Sequence, residues 1–137
     1  MKFWDSSALV PLVLQQPRTN EARQLLEEDD ELVVWWGSAV ECASAIARLH
    51  RENQLTASAE RDARSLLDAL RKSWFEVQPG DVVREQALRL LRVHTLRAAD
   101  ALQLAAALEW AGAPPEGDFV TFDDRLREAA VREGFAA

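Results

Sequence analysis

Leu32-Val33-Val34-Trp35-Trp36 is an unbroken apolar run, rich in β-branched and aromatic residues and closed by Gly37-Ser38. A strand with one face in water alternates apolar with polar residues. A run without alternation fits a strand covered on both faces, as in a parallel sheet. Ser38 then supplies cap chemistry for a helix in which Val40, Ala43, Ile46, Ala47 and His50 recur at helical spacing. Glu41 falls in the first turn of that helix, just beyond the strand's carboxyl end.

Strand and helix signals alternate on either side of this unit. Upstream, Lys2-Phe3-Trp4 reads as a short strand ending at Asp5, Ser6-Ser7 opens a short helix that Gln16-Pro17 closes, and a second helix covers about Asn20 to Glu28. Downstream, Thr56 opens a helix with Ala63, Leu66, Leu67, Leu70 and Trp74 in period, which forms an αα-hairpin with the helix before it. Trp74 to Val77 is a strand closed by Pro79-Gly80, and Asp81 caps a helix carrying Val83, Ala87, Leu90, Leu91 and His94. Arg97 to Ala107 is a helix with Asp100 near its start, stopped by Gly112 and Pro114-Pro115. Asp118 to Phe122 is the next strand, a last helix runs to about Arg132, and Gly134-Phe135 leads into a small edge strand.

This order predicts an α/β fold: one domain over residues 1–137, with a mostly parallel central sheet and helices on both faces. In such sheets ligands bind beyond the carboxyl ends of the strands. Asp5 and Asp123 directly follow strands, while Glu41 and Asp100 lie in first turns of helices, so the topology gathers the four at one edge. Close carboxylates repel and raise one another's pKa values unless a cation neutralises them. An all-oxygen set favours a hard ion, Mg²⁺ or Mn²⁺, with positions left for water and phosphate oxygens.

Each acid also has a plain structural reading. A first-turn acid is favoured by the helix dipole, which alone accounts for Glu41 or Asp100, and Asp5 or Asp123 can cap the helix that follows it. Asp124 adjoins Asp123, and either residue is placed to face a metal. The four together, three just after strands and Asp100 in the first turn of a helix, are what single them out.

Composition narrows the function. The chain carries a formal charge of −7, which excludes a protein that coats nucleic acid with a broad basic surface. Of the 16 basic residues only Lys2 and Lys72 are lysines, so the cations are mostly the forked guanidinium of arginine. Arg97 and Arg125, close in sequence to Asp100 and Asp123, are the candidates for positive charge at the rim of the site. His50 and His94 fall on apolar helical faces and read as packing residues. The single cysteine, Cys42, has no internal partner and no activating histidine, so it reads as a small core residue. Trp35-Trp36 read as core, with the alternative that one of the two, facing away from the other on a strand, marks a dimer or partner surface. No secretory leader and no membrane-length apolar run is evident, which predicts a cytoplasmic protein that does not contact the membrane. A phosphate-accepting receiver would need a lysine near a strand end, and an Asp-x-Asp phosphohydrolase an acid where Ser7 stands.

Asp5-Ser6-Ser7-Ala8-Leu9-Val10, Glu41, Arg97-Ala98-Ala99-Asp100-Ala101-Leu102-Gln103-Leu104-Ala105 and Phe119-Val120-Thr121-Phe122-Asp123-Asp124-Arg125-Leu126 together resemble the PIN-domain ribonucleases, most of all the VapC-type toxins of toxin–antitoxin pairs. The likeness spans essentially the whole chain. It implies that Asp5, Glu41, Asp100 and Asp123 are catalytic and hold Mg²⁺ or Mn²⁺, and that Ser7 and Thr121 orient the carboxylates. It also implies endoribonuclease activity leaving a 5′-phosphate and a 3′-hydroxyl, a homodimer and a protein antitoxin. The competing expectation is a PIN-like binding module without turnover.

Overall fold

Phe3 and Trp4 are neighbours in sequence and both lack exposed surface, yet they belong to different cores. The computed structural model describes Met1–Ala137 and contains four strands: β1 (Lys2–Trp4), β2 (Leu32–Trp35), β3 (Phe75–Val77) and β4 (Asp118–Val120). They form one all-parallel sheet in the order β3-β2-β1-β4, with Phe3 opposite both Val33 and Phe119 and Val33 opposite Phe75. Successive side chains of a strand point to opposite faces. Phe3, Val33, Trp35 and Phe119 therefore pack on one face, against α5 (Asp81–Val93), α6 (Ala98–Ala111) and α7 (Asp124–Arg132). Trp4, Leu32, Val34 and Val120 pack on the other, against α1 (Ser6–Val13), α2 (Thr19–Glu28), α3 (Ser38–Arg51) and α4 (Ala57–Arg71). This two-sided burial is why Leu32–Trp35 shows no alternation.

The α/β class, the helices on both faces and the α3–α4 hairpin agree with the sequence reading, and the sheet is wholly rather than mostly parallel. Differences concentrate at element ends. β2 stops at Trp35, because the chain turns at Gly37, where a Cβ would come 2.6 Å from the Trp35 indole nitrogen. Trp36 is consequently outside the strand and 51% exposed, not core. Gly37 and Gly80, rather than Ser38 and Asp81, occupy the cap positions of α3 and α5. α1 ends at Val13, α4 ends before Trp74, and β4 ends at Val120, so Thr121 and Phe122 form a loop. The C-terminal edge strand is reduced to a single bridge between Asp118 and Ala136.

The histidines are also more polar in setting than their spacing suggests. His94 lies at the end of α5 with Nε2 2.7 Å from a Glu133 oxygen, and His50 Nδ1 is 3.2 Å from the Leu55 carbonyl. No helix is long and apolar enough to cross a membrane.

Candidate active site

Asp5 occupies the cap position of α1 in extended conformation, but its side chain caps nothing. Its N–H instead donates to the Val120 carbonyl at 3.1 Å, tying the β1–α1 turn to β4. The carboxyl is buried, and Ser7 Oγ donates to Oδ1 at 2.8 Å. Ser7 Oγ in turn accepts from the Phe122 N–H at 2.9 Å and lies 3.3 Å from Thr121 Oγ1, which accepts from the Asp123 N–H at 3.1 Å. Ser7 and Thr121 thus link two strand-to-helix turns around one carboxyl. Burial pushes the Asp5 pKa up to about 7, against the opposing hydrogen bonds of Ser7 and Thr121, and the nearby charge of Asp100 adds to the rise.

Glu41 lies in the first turn of α3, held at both oxygens by neutral donors. Ser6 Oγ donates to Oε1 at 3.1 Å and Gln103 Nε2 to Oε2 at 2.9 Å. The same Gln103 nitrogen reaches Ser38 Oγ at 3.0 Å, and Gln103 is fully buried. A carboxylate only accepts, so the amide must turn its nitrogen toward Glu41. Burial raises the Glu41 pKa, the Ser6 and Gln103 bonds oppose the rise, and Asp100 reinforces it.

Asp100 sits in the first turn of α6. Burial and the charge of Asp123 raise its pKa, while Arg97 at the cap position of the same helix works against the rise. Asp123 does cap α7, accepting at Oδ1 from the Leu126 N–H at 3.0 Å. Asp124 is 94% exposed and paired with Arg127, so Asp123 is the acid on the side of Asp100. Arg97 and Arg125 are both exposed, and Arg125 makes no ion pair.

The fold therefore brings the four acids into one electrostatic neighbourhood centred on Asp100, whose charge reaches Asp5 and Glu41 and which feels Asp123. It does not close three of them on a single point: no group of three acids, histidines or cysteines stands at metal-ligating separation. None of the four belongs to an ion pair, in a chain with many elsewhere. Buried carboxylates with only neutral donors are the chemistry that a hard divalent cation compensates, so the donor set fits such an ion. Cys42 is shut away beside them, its thiol pushed up to about 12 by burial and by the charges of Glu41 and Asp5.

Sequence reasoning missed Ser6 and Gln103 as partners of Glu41, and Ser38 as a partner of Gln103. Gln103 left a signal, since it is the one amide in the Ala- and Leu-rich stretch that follows Asp100. A family model described as the PIN domain matches residues 2–132. The chain belongs to the PIN-domain family. PIN domains are in general metal-dependent nucleases. No curated protein matches this PIN domain closely.

Proposed function

We propose that this PIN domain is a Mg²⁺- or Mn²⁺-dependent endoribonuclease and the toxin of a toxin–antitoxin pair. One observation carries the reading: Asp5, Glu41, Asp100 and Asp123 form a partly buried acidic group with no ion pair among them. Those four residues would hold the ion. Bound there, a divalent cation lowers the pKa of a water and offsets charge developing on a phosphodiester. The protein's part is positional. Ser7 fixes Asp5, Ser6 and Gln103 fix the two oxygens of Glu41, and Asp123 is steadied by its own cap bond. Arg97 and Arg125 supply positive charge at the rim, where an RNA phosphate must approach a chain of net charge −7. A basic antitoxin segment suits that charge, and exposed Trp36 and Val40 offer apolar area for a second copy in a homodimer. Its location is the cytoplasm.

The test is incubation of partner-free protein with total RNA and Mg²⁺ or Mn²⁺, beside Asp5→Asn, Asp100→Asn and an EDTA control. Metal-dependent fragments with 5′-phosphate ends, lost in both variants, are expected. The second reading is a PIN-like metal- or RNA-binding module without turnover. Intact RNA in the presence of folded, ion-loaded protein would select that reading.

A further inference from the structure

The Thr121-Phe122-Asp123 loop has two sides. Ser7 and Asp5 bind it from within; on the outside a groove of about 540 Å³ runs between α2 and the outer edge of β4. Its charged lining is Lys2, Arg18, Arg127, Glu21 and Asp118, and Phe119 and Phe122 are its aromatic residues. Arg18 lies with its guanidinium carbon 3.8 Å from the centre of the Phe122 ring and forks onto Glu21 at 2.8 and 2.9 Å. Arg127 donates through Nη2 to the Thr121 carbonyl and lies 3.5 Å from Asp124. Glu21 is held below the usual carboxylate range chiefly by the Arg18 hydrogen bond, and the charge of Arg127 adds to the effect, so the two guanidiniums share one neighbourhood.

These contacts orient two long side chains without using all their donors. A guanidinium has five N–H groups, and the bonds above occupy only part of each set. Stacking on Phe122 and the Thr121 carbonyl fix the planes, so little side-chain entropy remains to be lost when an anion binds. Both side chains stay accessible, at 41% for Arg18 and 35% for Arg127. The loop they touch carries Thr121 and Asp123, so the groove ends beside the acidic edge.

We infer that the Arg18–Phe122–Arg127 groove is a binding track for the phosphates of a single-stranded RNA that continues from the carboxylate site. The inference rests on the ribonuclease reading and names a part of the substrate path that Arg97 and Arg125 do not cover. Phosphates beside the scissile one lie in the field of the acids, and these guanidiniums offset that repulsion. Lys2, at the far end of the groove, extends the track, although Glu28 and Asp118 share its charge.

The experiment measures binding of a labelled single-stranded RNA by fluorescence anisotropy against salt, with Asp100→Asn protein so that no cleavage intervenes. Arg18→Ala and Arg127→Ala are each expected to weaken binding about tenfold and to flatten the log–log salt slope by about 0.7, the value for one phosphate contact on a single strand. Arg127→Lys keeps most of the slope, which separates charge from the Thr121 contact. Glu21→Gln releases Arg18 and tightens binding several-fold. Arg64→Ala, on α4 outside the groove, changes neither quantity. Circular dichroism melts confirm that each variant is folded. RNA binding that is unchanged in both arginine variants would overturn the groove and leave the ribonuclease reading standing. No RNA binding by the parent at any salt would overturn both. Tighter, arginine-dependent binding of polyglutamate than of RNA would overturn the inference in favour of an acidic peptide.

Discussion

At the amino-terminal edge of the sheet, Lys2 reaches Glu28 and Asp118, the chain's amino group holds Asp29, and Arg89 and His94 close on Glu133. At the carboxyl edge, Asp5 and Glu41 meet hydroxyls and an amide, Asp123 meets a backbone N–H, and none of the four acids has an ion-pair partner. The same residue types thus meet cations in one region and neutral donors in the other. Neutralised acids contribute stability. Acids left in the field of one another cost stability and gain affinity for a cation, which is the usual compromise at a functional site.

The sharpest way to break the contrast is to remove the buried charge. Burial pushes the native Asp5 carboxyl up to about 7, whereas in the unfolded chain it keeps the ordinary aspartate value of 3.8. Between those values the native state binds more protons than the unfolded state, so the Asp5 contribution to stability is full below about pH 4 and is lost as the pH rises through 7. Asn cannot ionise. In metal-free urea titrations Asp5→Asn is expected to match the parent near pH 4 and to exceed it by on the order of 4 kcal/mol at pH 8. A pH-independent difference would mean that Asp5 is not a strained carboxylate.

Asp100, at the centre of the acidic group, is the next target. Asp100→Asn is expected to lower the metal-dependent cleavage rate by at least about a hundredfold, more than loss of an outer partner of a metal ligand. The ratio of initial rates on one RNA decides this, and equal rates would remove Asp100 from the chemistry. Glu133→Gln probes the opposite edge. Burial works to raise the Glu133 pKa, but the Arg89 and His94 bonds prevail and hold it below the usual range. Losing that charge is expected to cost about 2 kcal/mol at pH 7 by chemical denaturation and to leave cleavage unchanged. The parent's share of this stability fades as the pH falls through the depressed Glu133 pKa. The smallest effect is expected from Gln103→Leu, about a tenfold weaker Mn²⁺ affinity by calorimetry, with a stability loss of about 1 kcal/mol as Ser38 and Glu41 each lose a hydrogen bond. Restored affinity in Gln103→His would tie the loss to the hydrogen bond to Glu41.

The unbroken run Leu32–Trp35 was sufficient to predict a strand covered on both faces, and strands separated by helices were sufficient to predict a parallel sheet. Hydrophobic periodicity is local, so it survives in the sequence. Asp5, Glu41 and Asp123 at strand-to-helix junctions were legible for the same reason, since topology alone carries such junctions to one edge, and Asp100 was legible as a first-turn acid in an otherwise apolar helix. Other features depended on which distant segments meet. Trp36 reads as core beside Trp35, yet the turn at Gly37, where the Trp35 ring leaves no room for a side chain, puts it in water. Asp5 and Asp123 read equally as caps, and only the fold distinguishes them: Asp123 caps α7, while Asp5 caps nothing and is wrapped by Ser7. Gln103 and Glu41 are separated by 62 positions and meet only because α3 and α6 leave the same sheet edge. Sequence by itself determined the elements, their order and the edge at which the acids gather, because those follow from spacing along the chain. Tertiary structure alone decided which acids are desolvated and which hydroxyl or amide each faces, because burial and hydrogen bonding depend on contacts between residues far apart in that chain.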